Sequence, residues 1–158
     1  MEIVLAYERE KEMLELVTEY TNWVLTHGDD VVKYLQSQHI EDELKDMKNK
    51  YGLPYGRMYL AFVENNIAGC AALTRNDQDY CEIKRLYLRP QFRGKGTSKA
   101  LIEKAITDAK DIGYKHMRLD TFPFMMSAIK LYEKLGFYYI EKYNDNPVET
   151  AIFMQLDL

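Results

Sequence analysis

From Met13 to Val24 the apolar positions Met13, Leu16, Val17, Tyr20, Trp23 and Val24 recur at intervals of three and four, which sets them on one face of a helix. A short strand, Ile3 to Ala6, precedes this helix, and Gly28-Asp29-Asp30 is where it is expected to stop. Ile40, Leu44 and Met47 mark a second helix, followed by the turn-rich loop Tyr51-Gly52-Leu53-Pro54-Tyr55-Gly56-Arg57. The pattern then changes to that of strands. Met58 to Val63 and Ile67 to Leu73 predict a hairpin turning at Asn65-Asn66, and a second turn at Asn76-Asp77 leads into the strand Tyr80 to Leu88. Helical spacing returns with Leu101, Ala105, Ile106, Ala109 and Ile112, and Gly113 ends that helix. Arg118 to Thr121 predicts a strand, Met125 to Leu135 a helix, and Phe137 to Ile140 and Ile152 to Leu156 two closing strands. Interleaved strands and helices of this kind predict an α+β or α/β sandwich.

The chain has 158 residues, enough for one core that buries about 70% of the surface of the unfolded chain. One domain is expected over residues 1–158. No run of 18 apolar residues and no apolar leader flanked by lysine or arginine occurs, so neither a membrane span nor an export signal is predicted, and the expected compartment is the cytoplasm. A net charge of −4 argues against nucleic acid as a partner, which calls for a basic face, and is compatible with a cationic amine. Cys70 and Cys81 fall in apolar strand patterns and are expected to be reduced core residues. His27, His39 and His116 have no ligand-like spacing to one another or to the cysteines, so no metal site is expected.

The stretch from Tyr87 to Ser98 carries the chemistry: a strand runs through Arg89-Pro90-Gln91-Phe92-Arg93 into Gly94-Lys95-Gly96-Thr97-Ser98 at the start of an amphipathic helix. A helix N-terminus offers unpartnered N–H groups and about half a positive charge, and glycines let a ligand approach the backbone, so this order suits a phosphate. Lys84, Arg85, Arg89, Arg93, Lys95 and Lys99 cluster around it and suit an anionic cofactor. The spacing matches neither a Walker A loop nor a dinucleotide fingerprint.

What remains is Gln91-x-x-Gly94-x-Gly96, which resembles the Q/R-x-x-G-x-G/A signature of the GNAT family of N-acetyltransferases. Glu82 to Leu88 is similar to that family's central cofactor-binding strand, and Ala128-Ile129-Lys130-Leu131-Tyr132-Glu133-Lys134-Leu135-Gly136-Phe137 to its A-x-x-L-Y-x-x-x-G-F motif. The resemblance implies a mixed, mostly antiparallel sheet of six or seven strands, splayed between the fourth and fifth, with helices on both faces. It implies acetyl-CoA as cosubstrate. Pantetheine would run as an extra strand along the backbone of Leu86, Tyr87 and Leu88, and its pyrophosphate would sit on the amides from Arg93 through Gly94, Lys95, Gly96 and Thr97 to Ser98. The second substrate would be a primary amine on a small molecule, peptide or protein, and assembly as a homodimer is compatible with that reading.

Acetyl transfer needs an uncharged amine, a stabilised oxyanion and a proton for the leaving thiolate. Glu82 is the candidate general base: by strand alternation it shares a face with Lys84 and Leu86, and a carboxylate in this apolar strand is expected to be partly desolvated with a raised pKa. The alternative is a structural glutamate bonded to Lys84 or an arginine. Tyr132 is the candidate general acid by family motif, and a core tyrosine is the alternative. Many family members carry Asn where this chain has Met125, which puts one polar cofactor contact in question. Specificity is expected from the first two helices, the Tyr51 to Arg57 loop and the Tyr138 to Thr150 segment, with Tyr51, Tyr55, Tyr138, Tyr139 and Tyr143 as candidates for an aromatic pocket. A non-catalytic acyl-CoA-binding regulatory module is the reading from another functional class.

Overall fold

In a computed structural model that describes residues Met1 to Leu158, the elements run β1 (Glu2–Leu5), α1 (Glu10–Leu25), α2 (Asp29–Ser37), α3 (Ile40–Lys45), α4 (Met47–Tyr51), β2 (Arg57–Val63), β3 (Asn66–Arg75), β4 (Tyr80–Leu88), α5 (Thr97–Ile112), β5 (His116–Thr121), α6 (Met126–Lys134), β6 (Tyr138–Ile140) and β7 (Ile152–Asp157), with a 3-10 turn at Pro90–Phe92. All seven strands join one sheet in the order β1-β2-β3-β4-β5-β7-β6. Every pairing is antiparallel except that of β4 with β5.

That parallel pairing positions the site, because it is short. Only Tyr80, Cys81 and Glu82 pair with His116, Met117 and Arg118; beyond Glu82, β4 runs on to Leu88 and β5 to Thr121 without a shared ladder. Register explains part of the divergence. Cys70 faces Tyr87 and Ala72 faces Lys84, so Ala71 alone opposes both Arg85 and Leu86, the two-against-one count of a β-bulge. Arg85 takes the left-handed conformation, φ 58°, which costs a non-glycine residue on the order of 1–2 kcal/mol. Its guanidinium is buried and would cost several kcal/mol more if left alone. Glu43 of α3 meets it in a bidentate pair, Nε–Oε2 2.7 Å and Nη2–Oε1 2.8 Å, so α3 holds the bulge in place.

The bulge also reverses the alternation of β4. Glu82 and Lys84 face the α1–α4 layer and Tyr87 takes over that face after the bulge, packing edge-on to Tyr20. Leu86 therefore does not share a face with Glu82, as strict alternation predicted. It packs with Leu88 into the cluster under α5, where Leu101, Ile102, Ala105 and Ala109 meet Leu73, Cys81, Ile83, Met117 and Leu119. Met13, Leu16 and Val17 of α1 cover the other face against Met58, Leu60, Cys70 and Ala72. A third cluster joins Tyr20 and Val24 of α1 to Val31, Tyr34 and Leu35 of α2, and to Phe122 and Val148 beyond β5 and β6.

The predicted elements correspond closely from Met58 onward. The helical region before it differs. Asp29 and Asp30, expected at the end of the first helix, instead open α2, where two acids suit the positive helix terminus. Val31, Tyr34 and Leu35, spaced by three and one, are the buried stripe that marks this helix in the sequence. The second predicted helix divides into α3 and α4 at Asp46, whose non-helical backbone lies between them. Cys70 and Cys81 are free, buried and on opposite faces of the sheet, which rules out their pairing, and burial pushes both thiols up to about 12.

Candidate active site

The divergence of β4 from β5 leaves a strand edge open on the α5 side of the cleft. Arg89 N–H donates to Ala68 O of β3 at 2.9 Å, so in the alternating ladder the polar groups of Leu88 turn the other way, toward the cleft. Arg93 Nε donates to the Leu88 carbonyl at 3.0 Å, and its guanidinium lies 5.7 Å from the Trp23 ring centroid and 5.9 Å from that of Tyr87. Tyr87, opposite Cys70, directs its main chain into the β3 ladder and its ring toward α1.

At the end of this edge the chain turns through Gly94 (φ 76°) and Gly96 (φ 85°) into α5. No side chain caps α5 and no acid lies in its first turn, so its leading N–H groups remain free for a ligand. Thr97 is buried and anchors the turn, while Gly94, Lys95 and Gly96 are exposed. The basic residues around the turn divide more sharply than their sequence clustering implied. Lys84 and Arg85 are buried on the opposite face, and Arg89 is engaged by Glu15 and Glu19 of α1. Arg93, Lys95 and Lys99 are left at the surface beside the turn.

The other side of the cleft is built from side chains. Glu82, 6% exposed, is the last β4 residue paired with β5. It accepts hydrogen bonds from the Asn76 amide at 3.1 Å and from Lys84 Nζ at 3.3 Å, so the expected burial comes with an ammonium partner. Across from it Arg118 is sandwiched between the rings of Tyr80 (4.3 Å) and Tyr143 (4.2 Å). Two residues further along β5, Asp120 accepts from Tyr34 Oη at 3.1 Å, Asn144 Nδ2 at 2.9 Å and Asn146 Nδ2 at 3.2 Å. Burial raises the Asp120 pKa, but the Lys84 charge and these three bonds outweigh it and hold the carboxyl below its usual range. The segment from Tyr143 to Val148 is thereby tied across the opening. Tyr143 Oη is sealed and has no partner, and burial together with Glu82 and Asp120 pushes its pKa up.

Tyr132 of α6 sits beneath this opening, its ring 5.5 Å from Phe137. The ring is buried, yet its hydroxyl makes no hydrogen bond within the protein and is not among the sealed, unpartnered atoms, which are Tyr51 Oη, Arg118 Nε and Tyr143 Oη. Burial, then the nearby Tyr20 and Asp120, push its pKa up, so the hydroxyl keeps its proton at neutral pH.

The pattern of the Acetyltransferase (GNAT) family matches residues 11–137. The chain belongs to the GNAT acetyltransferase family. An uncharacterized N-acetyltransferase of Schizosaccharomyces pombe is 36% identical over 137 residues, which cover 81% of this chain and 84% of that protein. Among solved structures, a GNAT acetyltransferase of Staphylococcus aureus superposes with a TM-score of 0.78 over 99% of this chain and 98% of its own, at 20% identity. A GNAT acetyltransferase of Elizabethkingia anophelis with acetyl-CoA bound has a TM-score of 0.59 and 25% identity, covering 77% of this chain and 82% of that one. The chain is thus a GNAT N-acetyltransferase enzyme with the mixed seven-stranded α+β fold of the family.

Within the GNAT frame, Met125 precedes α6 without capping it, and its thioether lies 3.4 Å from Thr121 Oγ1. Four of the five tyrosines proposed for an aromatic pocket lie elsewhere: Tyr51 is in the core, Tyr55 stacks on Arg75, and Tyr138 and Tyr139 are exposed on β6. Tyr143 alone reaches the cleft. The residues that sequence reasoning missed are Tyr34, Asp120, Asn144 and Asn146. Asp120 carried a readable signal, being an acid in the middle of a strand otherwise alternating into the core. No three His, Cys, Asp or Glu side chains converge as a metal site, and no helix is long and apolar enough to cross a membrane.

Proposed function

We propose that this GNAT N-acetyltransferase passes the acetyl group of acetyl-CoA directly to a primary amine, with Glu82 as general base and Tyr132 as general acid. The observation that carries the reading is the short β4–β5 pairing, which ends at Glu82 and leaves the free edge of Leu86 and Leu88 running to the glycine turn. Pantetheine, with its two amides, lies along that edge as an added strand, and its pyrophosphate takes the amides from Arg93 to Ser98. Tyr87 contributes the wall of the cleft through its ring rather than the edge. On cofactor entry Arg93 exchanges the Leu88 carbonyl for phosphate oxygens.

The amine enters on the side of Tyr34, Asp120 and Tyr143. An alkylammonium near pKa 10 is neutral at pH 7 in only about one molecule in 10³. Glu82 takes its proton, directly or through one water, and Asp120 supplies the negative potential that draws the cation in. The nitrogen then attacks the thioester carbon, and a main-chain N–H next to Leu86 stabilises the oxyanion. As the C–S bond breaks, the proton of Tyr132 passes to the thiolate sulfur and the second proton of the nitrogen passes to the Tyr132 oxygen, directly or through water, which leaves a neutral amide and restores the phenol.

Release of free CoA thiol across a panel of amines tests this reading. Glu82→Gln is expected to lower turnover about 10²-fold while acetyl-CoA binding is retained, with the deficit shrinking at high pH, where the amine loses its proton unaided. A fully active Glu82→Gln variant at neutral pH would return Glu82 to a structural role. Acetyl-CoA binding without thiol release for any amine would leave the regulatory module.

A further inference from the structure

A cavity of about 420 Å³ opens where α4 meets the end of β3, lined by Lys48, Asn49, Lys50, Tyr55, Thr74 and Arg75 among others, with no carboxylate in its wall. Three cations line this space: Lys50, Arg75 and Lys48, the last already paired with Glu10 of α1. Arg75 stacks over the Tyr55 ring at 4.2 Å and has no acidic partner. Lys50 Nζ reaches Glu43 at 3.0 Å, but both oxygens of that carboxylate already serve Arg85, and Lys84 leans on Glu82. Lys50, Lys84 and Arg85 thus share two acids, Glu43 and Glu82, and the local balance is positive on the cavity side.

The cavity wall reaches the strand position opposite Glu82. Thr74 in its wall stands directly opposite Glu82 in the β3–β4 register, and Asn76, next but one, donates to Glu82 at 3.1 Å. Cross-strand neighbours lie about 5 Å apart, so a molecule of a few carbons with an amine at Glu82 can direct its far end toward Lys50 and Arg75. We propose that this cavity is a subsite for an anionic group of the acceptor, so that the preferred substrate is a small amine bearing a carboxylate or phosphate. The inference rests on Glu82 marking the position of the reacting amine.

Lys50 gives the site a pH dependence. Burial and the Lys84 charge push its pKa down to about 8 against the opposing pull of Glu43. The charged groups around it are Glu43 from α3, Lys48 on its own helix with its partner Glu10 from α1, Arg75 from β3, and Lys84 and Arg85 from β4. An added anion relieves that excess and recharges Lys50, so anion binding weakens as pH rises through about 8.

The test has two arms, both run with CoA or acetyl-CoA saturating so that the glycine turn is filled. In the first, sodium succinate is titrated against sodium chloride at equal ionic strength and the melting temperature is followed. Succinate is expected to stabilise the protein, and Arg75→Gln and Lys50→Gln to abolish the effect; a flat curve for the natural protein overturns the site. In the second arm, amino acids are compared with their carboxamides as acceptors. The charged partner is expected to be favoured about tenfold in kcat/KM, through KM, and Arg75→Gln, at an exposed position, to erase the preference. Equal use of both partners, or no turnover of any amine while succinate binds, overturns the assignment to the acceptor. Glu82→Gln separates the two proposals: it is expected to keep the succinate effect while losing turnover, and retained turnover would remove the base and leave the anion site standing.

Discussion

On the α5 side of the cleft the exposed features are main-chain ones, the open edge at Leu88 and the turn from Arg93 to Ser98, whereas the α1–α4 side is built from interlocked side chains, Tyr34, Glu82, Asp120 and Tyr143, drawn from α2, β4, β5 and the segment before β7. In the proposed function the first half recognises its ligand through backbone geometry, which tolerates many side chains provided that glycines occupy the turn. The second depends on which carboxylate meets which hydroxyl or amide. The two halves of one cleft are thus free to serve different ends: a common cofactor on one side and a particular acceptor on the other.

The sharpest way to break this division is at Gly96. Its φ of 85° suits glycine, and a Cβ there would meet nothing of the protein within 4 Å, so the protein alone gives only conformational reasons to avoid a side chain. Gly96→Val is expected to leave the chain folded, to lower acetyl transfer by more than about 10³-fold, and to abolish the rise in melting temperature with acetyl-CoA. For the natural protein, cofactor at about 100-fold over its dissociation constant contributes about 2.7 kcal/mol and several degrees. An unchanged rise in the variant would place the pyrophosphate elsewhere.

Tyr132 lies where the halves meet. Because its hydroxyl has no partner within the protein, Tyr132→Phe strands no buried group, and stability should hold within about 0.5 kcal/mol. Single-turnover transfer is expected to fall about 10²-fold with acetyl-CoA still bound. Normal transfer with a lowered denaturation midpoint would mark a structural tyrosine instead.

The smallest expected effect distinguishes the halves by pH. Burial raises the Glu43 pKa, but Arg85 and Lys50 outweigh it and bring the carboxyl down to about 2 from 4.5. The folded state therefore holds it ionised where the unfolded chain takes up a proton. This stability is full above about 4.5 and is lost as pH falls toward about 2, on the order of 3 kcal/mol at most. Melting curves across that window should show the loss, and Glu43→Gln, less stable at neutral pH, should show a flatter profile. A parallel profile in the variant would mean that other carboxylates control acid unfolding.

The short-range features were legible in the sequence. Helix α5, its glycine turn, the β2–β3–β4 meander and α6 with Gly136 each follow from residues close along the chain, because periodicity and turn chemistry act over one or two turns. Glu82 and Tyr132 could be placed on β4 and α6 because each stands at a fixed offset within such an element. The bulge at Arg85 was not legible: its left-handed arginine depends on Glu43, 42 residues earlier, and so does the change of face between Glu82 and Leu86. Asp120 likewise gains its partners Tyr34 and Asn144 across 86 and 24 residues. The sequence by itself determined the family, the glycine turn and the order of elements from Met58 onward. The tertiary structure alone decided the polar cluster of Glu43, Glu82, Arg85 and Asp120, because a buried charge is defined by the opposite charge or hydrogen-bond partner that folding brings to it, and nothing local encodes that meeting.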